Sequence, residues 1–71
     1  MNIELSLLNI ASSVVSSLKV EKKQSYDQLL NSISKNFDDD IKDLFILALT
    51  FLYSVEVIDY KKKEDQVEML L

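Results

Sequence analysis

Apolar residues recur at helical spacing in the first part of the chain. Seven of them share one stripe of a helical wheel drawn over residues 3–18: Ile3, Leu7, Ile10, Ala11, Val14, Val15 and Leu18. Serine and asparagine occupy most of the opposite side, and Leu5 falls off the stripe. Because an apolar residue every three or four positions is typical of the buried face of a helix, the pattern predicts a first helix over residues 3–18.

A second helix is predicted over residues 25–35. Ser25 stands three residues before Gln28, which matches a capping box in which the serine hydroxyl accepts a backbone N–H and the glutamine reaches back. The apolar face of this helix consists of Tyr26, Leu29, Leu30 and Ile33. The preceding segment 19–24 is charged and predicts a short connection, with room for one extended residue pair at a sheet edge.

The third helix is predicted over residues 39–53 and is apolar on more than one face. Its core stripe is Ile41, Leu44, Phe45, Ala48, Leu49 and Leu52, and a helical wheel places a second set on the opposite side: Ile46, Leu47, Thr50 and Tyr53. A helix that is apolar all round is either central to a larger core or covered by a partner. A small domain has little room for a second packing layer, so we expect this second set to bind a partner. Extra packing within the chain is the alternative.

After Ser54 the apolar period changes from helical to alternating. The runs 56–60 and 66–70 alternate around the charged break 61–65, which predicts two strands of a hairpin. Because neither Gly nor Asn stands at the tip, we expect a loop longer than two residues. Three helices followed by a hairpin is the order of a winged helix-turn-helix domain. The expected fold class is therefore mainly α (α+β), with residues 1–71 forming a single winged-helix domain that ends in a β-hairpin wing.

The charged residues cluster at two places. Carboxylates crowd the start of the third helix, at Asp38, Asp39, Asp40 and Asp43. They suit the positive end of the helix dipole, which explains them without any function, and they would also repel phosphate. Lys61, Lys62 and Lys63 form a basic run in the wing, which is either a solvated loop or a contact for nucleic acid.

Composition removes most catalytic chemistry. The chain has 71 residues, a formal net charge of −4, and no His, Cys, Gly or Pro; its eight basic residues are all Lys. Without His or Cys the usual general base, thiol nucleophile and transition-metal ligands are missing, and without Gly no glycine-rich phosphate loop can form. We therefore expect neither enzyme nor cofactor. No signal-peptide pattern or long apolar run is present, so a cytoplasmic protein without membrane association is expected.

The closing segment LFILALTFLYSVEVIDYKKKEDQVEML (44 to 70) resembles that of the small middle components of bacterial ABC-three-component systems. The likeness lies in an ALxFLY helix that runs into an IxY strand and a wing. The opening segments LSLLNIASSVVSSL (5 to 18) and SYDQLLNSI (25 to 33) also fit the family. Where a glycine-containing turn usually joins helix to strand, this chain has SVEV (54 to 57). The resemblance implies a non-catalytic adaptor that works with an ABC or SMC-like ATPase and an effector subunit in defence against phage and foreign DNA.

Two functional hypotheses follow from the sequence. The first is an adaptor subunit that binds protein partners through the third helix. The second is a small DNA-binding transcriptional regulator, which would need basic or amide side chains on that helix. Lys42 is the only basic residue there and stands beside Asp43, so we expect weak, non-specific nucleic-acid contact at most. Homodimerisation through the third helix is a further alternative.

Overall fold

The computed structural model describes residues 3–37 and 40–71. Within this part of the chain there are three helices and three strands, in the order α1 (Ile3–Val20), β1 (Lys23–Ser25), α2 (Tyr26–Ser34), α3 (Lys42–Ser54), β2 (Ile58–Lys61) and β3 (Gln66–Met69). The predicted combination of three helices with a C-terminal hairpin is confirmed. This α+β arrangement is consistent with the winged-helix fold class.

The sheet contains a strand that the sequence pattern did not predict. It is antiparallel in the order β1-β3-β2, with β3 between the other two strands. Lys23 of β1 pairs with Glu68 of β3, and Asp59 of β2 pairs with Glu68 from the other side. A three-residue strand is too short to show an alternating pattern, so the sequence predicted no strand in segment 19–24 beyond room for one extended residue pair at a sheet edge.

The core forms where the three helices meet the inner face of the sheet. Its buried residues are Ile10, Ala11, Val14, Leu18, Leu29, Leu30, Ile33, Ile41, Phe45, Ala48, Leu52, Ile58, Val67 and Met69. The predicted stripes of α1, α2 and α3 all contribute to this set, although the side chain of Ile3 lies outside what the structure describes. The ring of Tyr26 packs edge-on against Phe45, with centroids 5.2 Å apart. This contact joins α2 to the centre of α3.

The start of α2 has the serine half of the predicted capping box. The Ser25 hydroxyl accepts the backbone N–H of Gln28 at 3.1 Å, which satisfies one of the free donors in the first helical turn. Because Ser25 also closes β1, strand and helix follow one another without a loop.

The start of α3 is later than predicted. The helix begins at Lys42 rather than at residue 39, and Ile41 precedes it with its side chain buried in the core. The Asp40 carboxylate accepts the backbone N–H of Lys42 at 3.1 Å, and Asp43 lies in the first turn. These two acids therefore stand where the helix dipole favours negative charge. Asp38 and Asp39 lie outside the described residues.

The end of α3 replaces a predicted piece of strand with a turn. Residues 56 and 57 reverse the chain, so β2 begins at Ile58 instead of residue 56, and β3 ends at Met69 instead of residue 70. Glu56 has φ 63°, and its N–H donates to the Tyr53 carbonyl at 3.1 Å while that of Val57 donates to Leu52 at 3.0 Å. These two bonds are the pair that defines a Schellman motif. The loop between β2 and β3 covers residues 62–65, and the prediction of a longer loop is confirmed.

Candidate functional site

The outward side of α3 is half exposed and largely apolar. Ile46, Leu47 and Tyr53 are 50%, 53% and 57% exposed, and Thr50 is also exposed. The helical wheel therefore placed all four correctly outside the core. Phe51 is likewise 50% exposed. Partner binding by these residues stays a prediction.

The tertiary structure divides this outward side into two flanks. On one flank, Ile46, Thr50 and Tyr53 line an open groove between α3 and the hairpin, with a volume of about 410 Å³. The other lining residues are Tyr26, Leu49, Ile58, Tyr60 and Lys62. We call this cleft the wing groove. Four parts of the chain contribute to it: α3, α2 through Tyr26, β2 through Ile58, and the hairpin loop through Lys62.

The other flank of α3 faces α1. Phe51 lines a second shallow groove of about 380 Å³, together with Leu8 and Val15 of α1. Leu47 lines neither this groove nor the wing groove. The sequence-predicted face therefore does not lie along one cleft: three of its members line the wing groove, and Leu47 stands on the ridge beside it.

Tyr26 and Tyr60 are two aromatic members of the wing groove that the sequence pattern did not assign to a binding face. The sequence pattern assigned Tyr26 to the apolar face of α2 and Tyr60 to a predicted strand. In the structure Tyr26 is only half-buried. An aromatic residue at the edge of a stripe is a weak signal of such a role, because a ring can serve core and surface together. The two side chains line the same groove only because the hairpin is placed beside α2 and α3 in the folded chain.

The pKa values of two tyrosine hydroxyls in the wing groove, those of Tyr26 and Tyr60, are raised above the ordinary value. A side-chain hydrogen bond to Asp65 is the main cause that raises the pKa of Tyr60, whose hydroxyl donates to the Asp65 carboxylate at 3.1 Å. Partial burial, followed by the charge of Asp27, raises the pKa of Tyr26. The Thr50 hydroxyl donates to the Ile46 carbonyl of its own helix at 2.9 Å. The hydroxyls of Tyr26 and Tyr60 therefore keep their protons at neutral pH.

The three wing lysines occupy three different environments. Lys61 Nζ lies 3.5 Å from one carboxylate oxygen of Glu68, and Lys23 Nζ of β1 lies 3.5 Å from the other. Lys62 lines the wing groove, and Lys63 is exposed in the loop. Since one of the three is already paired with a carboxylate, the run is a weaker anion site than its sequence indicates. Its contact with nucleic acid stays a prediction.

The whole candidate surface lies within a segment that matches a family of known proteins. Residues 22–70 match the family described as ABC-three component (ABC-3C) system Middle Component 8. The chain belongs to this family. The matched segment contains every element from β1 to β3, and the resemblance inferred from the sequence is confirmed. No curated protein and no solved structure matches the chain.

Membership of the ABC-3C middle components makes the chain one part of a multi-component system. A middle component is distinct from the ATPase of its system and works with the other components. Within residues 3–37 and 40–71, no helix is both long and apolar enough to cross a membrane. The same part of the chain contains no group of three or more acidic side chains placed to hold a metal ion.

Proposed function

We propose that this ABC-3C middle component is a non-catalytic winged-helix adaptor. It binds protein partners in an ABC or SMC-like ATPase complex that defends the cell against phage or foreign DNA. The proposal rests on family membership for the system and on the outward side of α3 for the kind of contact. The finer assignments, namely the ATPase and effector partners and the cytoplasmic location, belong to the proposal.

The observation that carries the proposal is the chemistry of α3. In winged-helix DNA readers the third helix offers basic or amide side chains to base edges in the major groove. Here the exposed side chains at the middle of α3 are Ile46, Leu47, Thr50 and Phe51, of which three are apolar. Contiguous exposed apolar side chains on a small protein mark a surface that a protein partner covers. An aliphatic and aromatic surface gains free energy from such a partner and none from a phosphate backbone.

The charges around α3 point the same way. Lys42 is the one basic residue of this helix, and Asp43 follows it directly. Asp40, whose carboxylate is exposed, stands immediately before the helix. Carboxylates at this end would repel a DNA backbone that approached along α3. A DNA-binding regulator is therefore the weaker candidate.

Leu47→Glu tests the proposal directly. Because Leu47 is 53% exposed, the variant keeps the fold of the free chain. Buried under a partner, the new carboxylate would be desolvated and unpaired, which costs several kcal/mol, on the order of 2–7 for a polar group without a compensating bond. We expect loss of the complex when the chain is co-expressed with the ATPase and effector subunits encoded beside it. Size-exclusion chromatography with light scattering measures the complex, and circular dichroism checks the fold.

Val20→Glu is the matched control. Val20 is 90% exposed at the end of α1, so the same chemical change there leaves both fold and complex unchanged. If Leu47→Glu unfolds the chain, Leu47 belongs to the core and the surface assignment is wrong. If the variant folds and still forms the complex, the partner binds elsewhere.

A further inference from the structure

The wing groove combines apolar side chains with one charged side chain, so its lining indicates the chemistry of its ligand more closely than a purely apolar face would. Its floor is apolar, formed by Ile46, Leu49 and Ile58. Lys62 is the one charged side chain among the described residues that line it, and no ion pair within the described part of the chain involves Lys62. The apolar floor and Lys62 lie in the same cleft, so a single ligand has to match both.

Each unused polar group of the groove can donate a hydrogen bond, and the Lys62 ammonium can only donate. The hydroxyls of Tyr26 and Tyr53 and the ammonium of Lys62 form no side-chain hydrogen bond or ion pair within residues 5–37 and 40–71, whereas the Thr50 and Tyr60 hydroxyls already donate within the chain. An ammonium has no acceptor capacity at all. Lys62 therefore requires an acceptor from the ligand, and a carboxylate opposite its ammonium complements it best.

The sheet edge beside the groove offers an incoming strand one free backbone donor fewer than usual. β2 is an edge strand, and the Tyr60 N–H that it would offer to a neighbour is taken by the Asp59 carboxylate at 2.9 Å. An extended peptide that added to this edge would lose a backbone bond. A helix satisfies its own backbone bonds and needs only side-chain contacts with a groove. The geometry favours a helical ligand over an extended one.

We propose that the wing groove binds an amphipathic helix of another component of the same system, with large apolar side chains against Ile46 and Tyr53 and an Asp or Glu paired with Lys62. This inference rests on the proposed adaptor function and identifies the kind of segment that the adaptor recognises. A volume of about 410 Å³ lies within the range of about 300–1,000 Å³ that is usual for ligand sites. Such a groove holds the side chains of a helix face rather than a whole domain.

The structure disfavours a nucleic acid as the occupant. Asp27 and Asp65 both act on the tyrosines at the rim, since the Asp65 carboxylate accepts the Tyr60 hydroxyl and the charge of Asp27 raises the pKa of Tyr26. A single carboxylate can approach Lys62 and avoid these acids. A phosphate backbone carries charge at every step and cannot.

The test uses synthetic peptides and the full chain. Overlapping peptides of about 20 residues, each about 30 Å long as a helix, cover the ATPase and effector subunits encoded beside the chain. Each is titrated into the isotope-labelled chain and followed by NMR. We expect one segment to bind with an apolar helical repeat and a carboxylate, and to shift the signals of Ile46, Tyr53 and Lys62. The signals of Leu8 and Val15, which line the groove on the α1 side, stay in place.

Two pairs of adjacent residues provide matched variants. Lys62→Glu lowers the affinity for the peptide about tenfold or more. Lys63→Glu makes the same charge change outside the groove lining and changes the affinity by less than about twofold. Ile46→Ala weakens binding and Leu47→Ala does not, although the two side chains are about equally exposed. Exchanging the peptide's acidic residue for Lys restores binding to Lys62→Glu.

The failures can be told apart. If the full complex forms and depends on Leu47 but no peptide binds, the groove inference is wrong and the adaptor function stands. If no complex forms with any component, the adaptor function itself is wrong. Equal losses for Lys62→Glu and Lys63→Glu would mean diffuse charge attraction and overturn the inference. Displacement of the peptide by duplex DNA, or self-association in sedimentation that Ile46→Ala abolishes, would assign the groove to a nucleic acid or a second copy and overturn it as well.

Discussion

Glu56 has a backbone conformation that glycine usually supplies. Its φ of 63° places it in the left-handed region, immediately after the end of α3. The position is set by the Schellman bonds, which require left-handed backbone at this residue. For a residue with a Cβ this conformation costs about 1–2 kcal/mol. Glutamate in place of glycine at this position therefore strains the backbone locally, and the adjacent Val57 packs against the core.

Glu56→Gly should raise the stability of the chain. The substitution removes the clash of the Cβ with the backbone and leaves the two Schellman bonds in place. Because glycine loses more entropy on folding, we expect a net gain of about 1 kcal/mol in the free energy of unfolding. Urea denaturation followed by circular dichroism measures it as a higher midpoint with an unchanged slope.

Glu64→Gly provides the control for this prediction. Glu64 is also an exposed glutamate next to a strand, but its φ is not positive. Glycine there increases only the freedom of the unfolded chain and should be neutral or destabilising. A similar gain at both positions would show that loss of negative charge, rather than relief of strain, is the cause.

At the scale of elements, one buried side chain joins the end of α1 to the sheet. Gln24 of β1 is 5% exposed, and its amide nitrogen donates to the Ser17 carbonyl, the Ser17 hydroxyl and the Glu21 carbonyl at 3.0–3.1 Å. The last carbonyls of a helix have no partner within the helix. The Gln24 side chain supplies a donor to the carbonyl of Glu21, the residue after the end of α1, and so joins β1 to the end of that helix.

Gln24→Ala should lower the free energy of unfolding by about 1–3 kcal/mol. The variant leaves the Glu21 carbonyl without its side-chain donor and creates a space beside the core. Thermal and urea unfolding of the purified variant measure the loss. Gln28→Ala is the control, because Gln28 is exposed on α2 and the same truncation should change stability by less than about 0.5 kcal/mol. Equal effects at the two positions would contradict a capping role for Gln24.

At the scale of the whole molecule, charge and shape favour a protein partner over DNA. The chain has a net charge of −4. One of its basic residues, Lys61, faces Glu68 at 3.5 Å. Affinity for DNA comes largely from phosphate neutralisation and is salt-dependent. An acidic domain in which one lysine of the basic run is paired with a carboxylate therefore has little free positive charge with which to neutralise the phosphates of a duplex.

We expect the isolated chain to bind duplex DNA weakly and to lose it as the salt concentration rises. Fluorescence anisotropy with duplexes of varied sequence should show no preference among them at about 0.15 M salt. Lys63→Ala should weaken the residual low-salt binding of all sequences alike, as a phosphate contact would. A sequence-specific complex that survives this salt concentration would contradict the adaptor function and favour a regulator.

The sequence by itself determined the helices, their inward faces and the family. The stripe ending in Ala48 and Leu52 and the outward position of Ile46 and Leu47 follow from helical periodicity, which is a local property of the chain. The cap at Ser25 is equally local, because donor and acceptor are three residues apart. The absence of His and Cys likewise needs no structure.

Only the tertiary structure decided how these elements form a surface. β1 exists because its residues pair with β3, more than forty positions along the chain, and a strand of three residues has no pattern of its own. The wing groove brings Tyr26, Tyr53 and Lys62 together from α2, α3 and the hairpin loop. Their spacing in sequence carries no sign of this contact. Helical periodicity determines only the direction in which each side chain leaves its own helix. The division of the outward side of α3 into two flanks depends on its neighbours, which are the hairpin on one flank and α1 on the other.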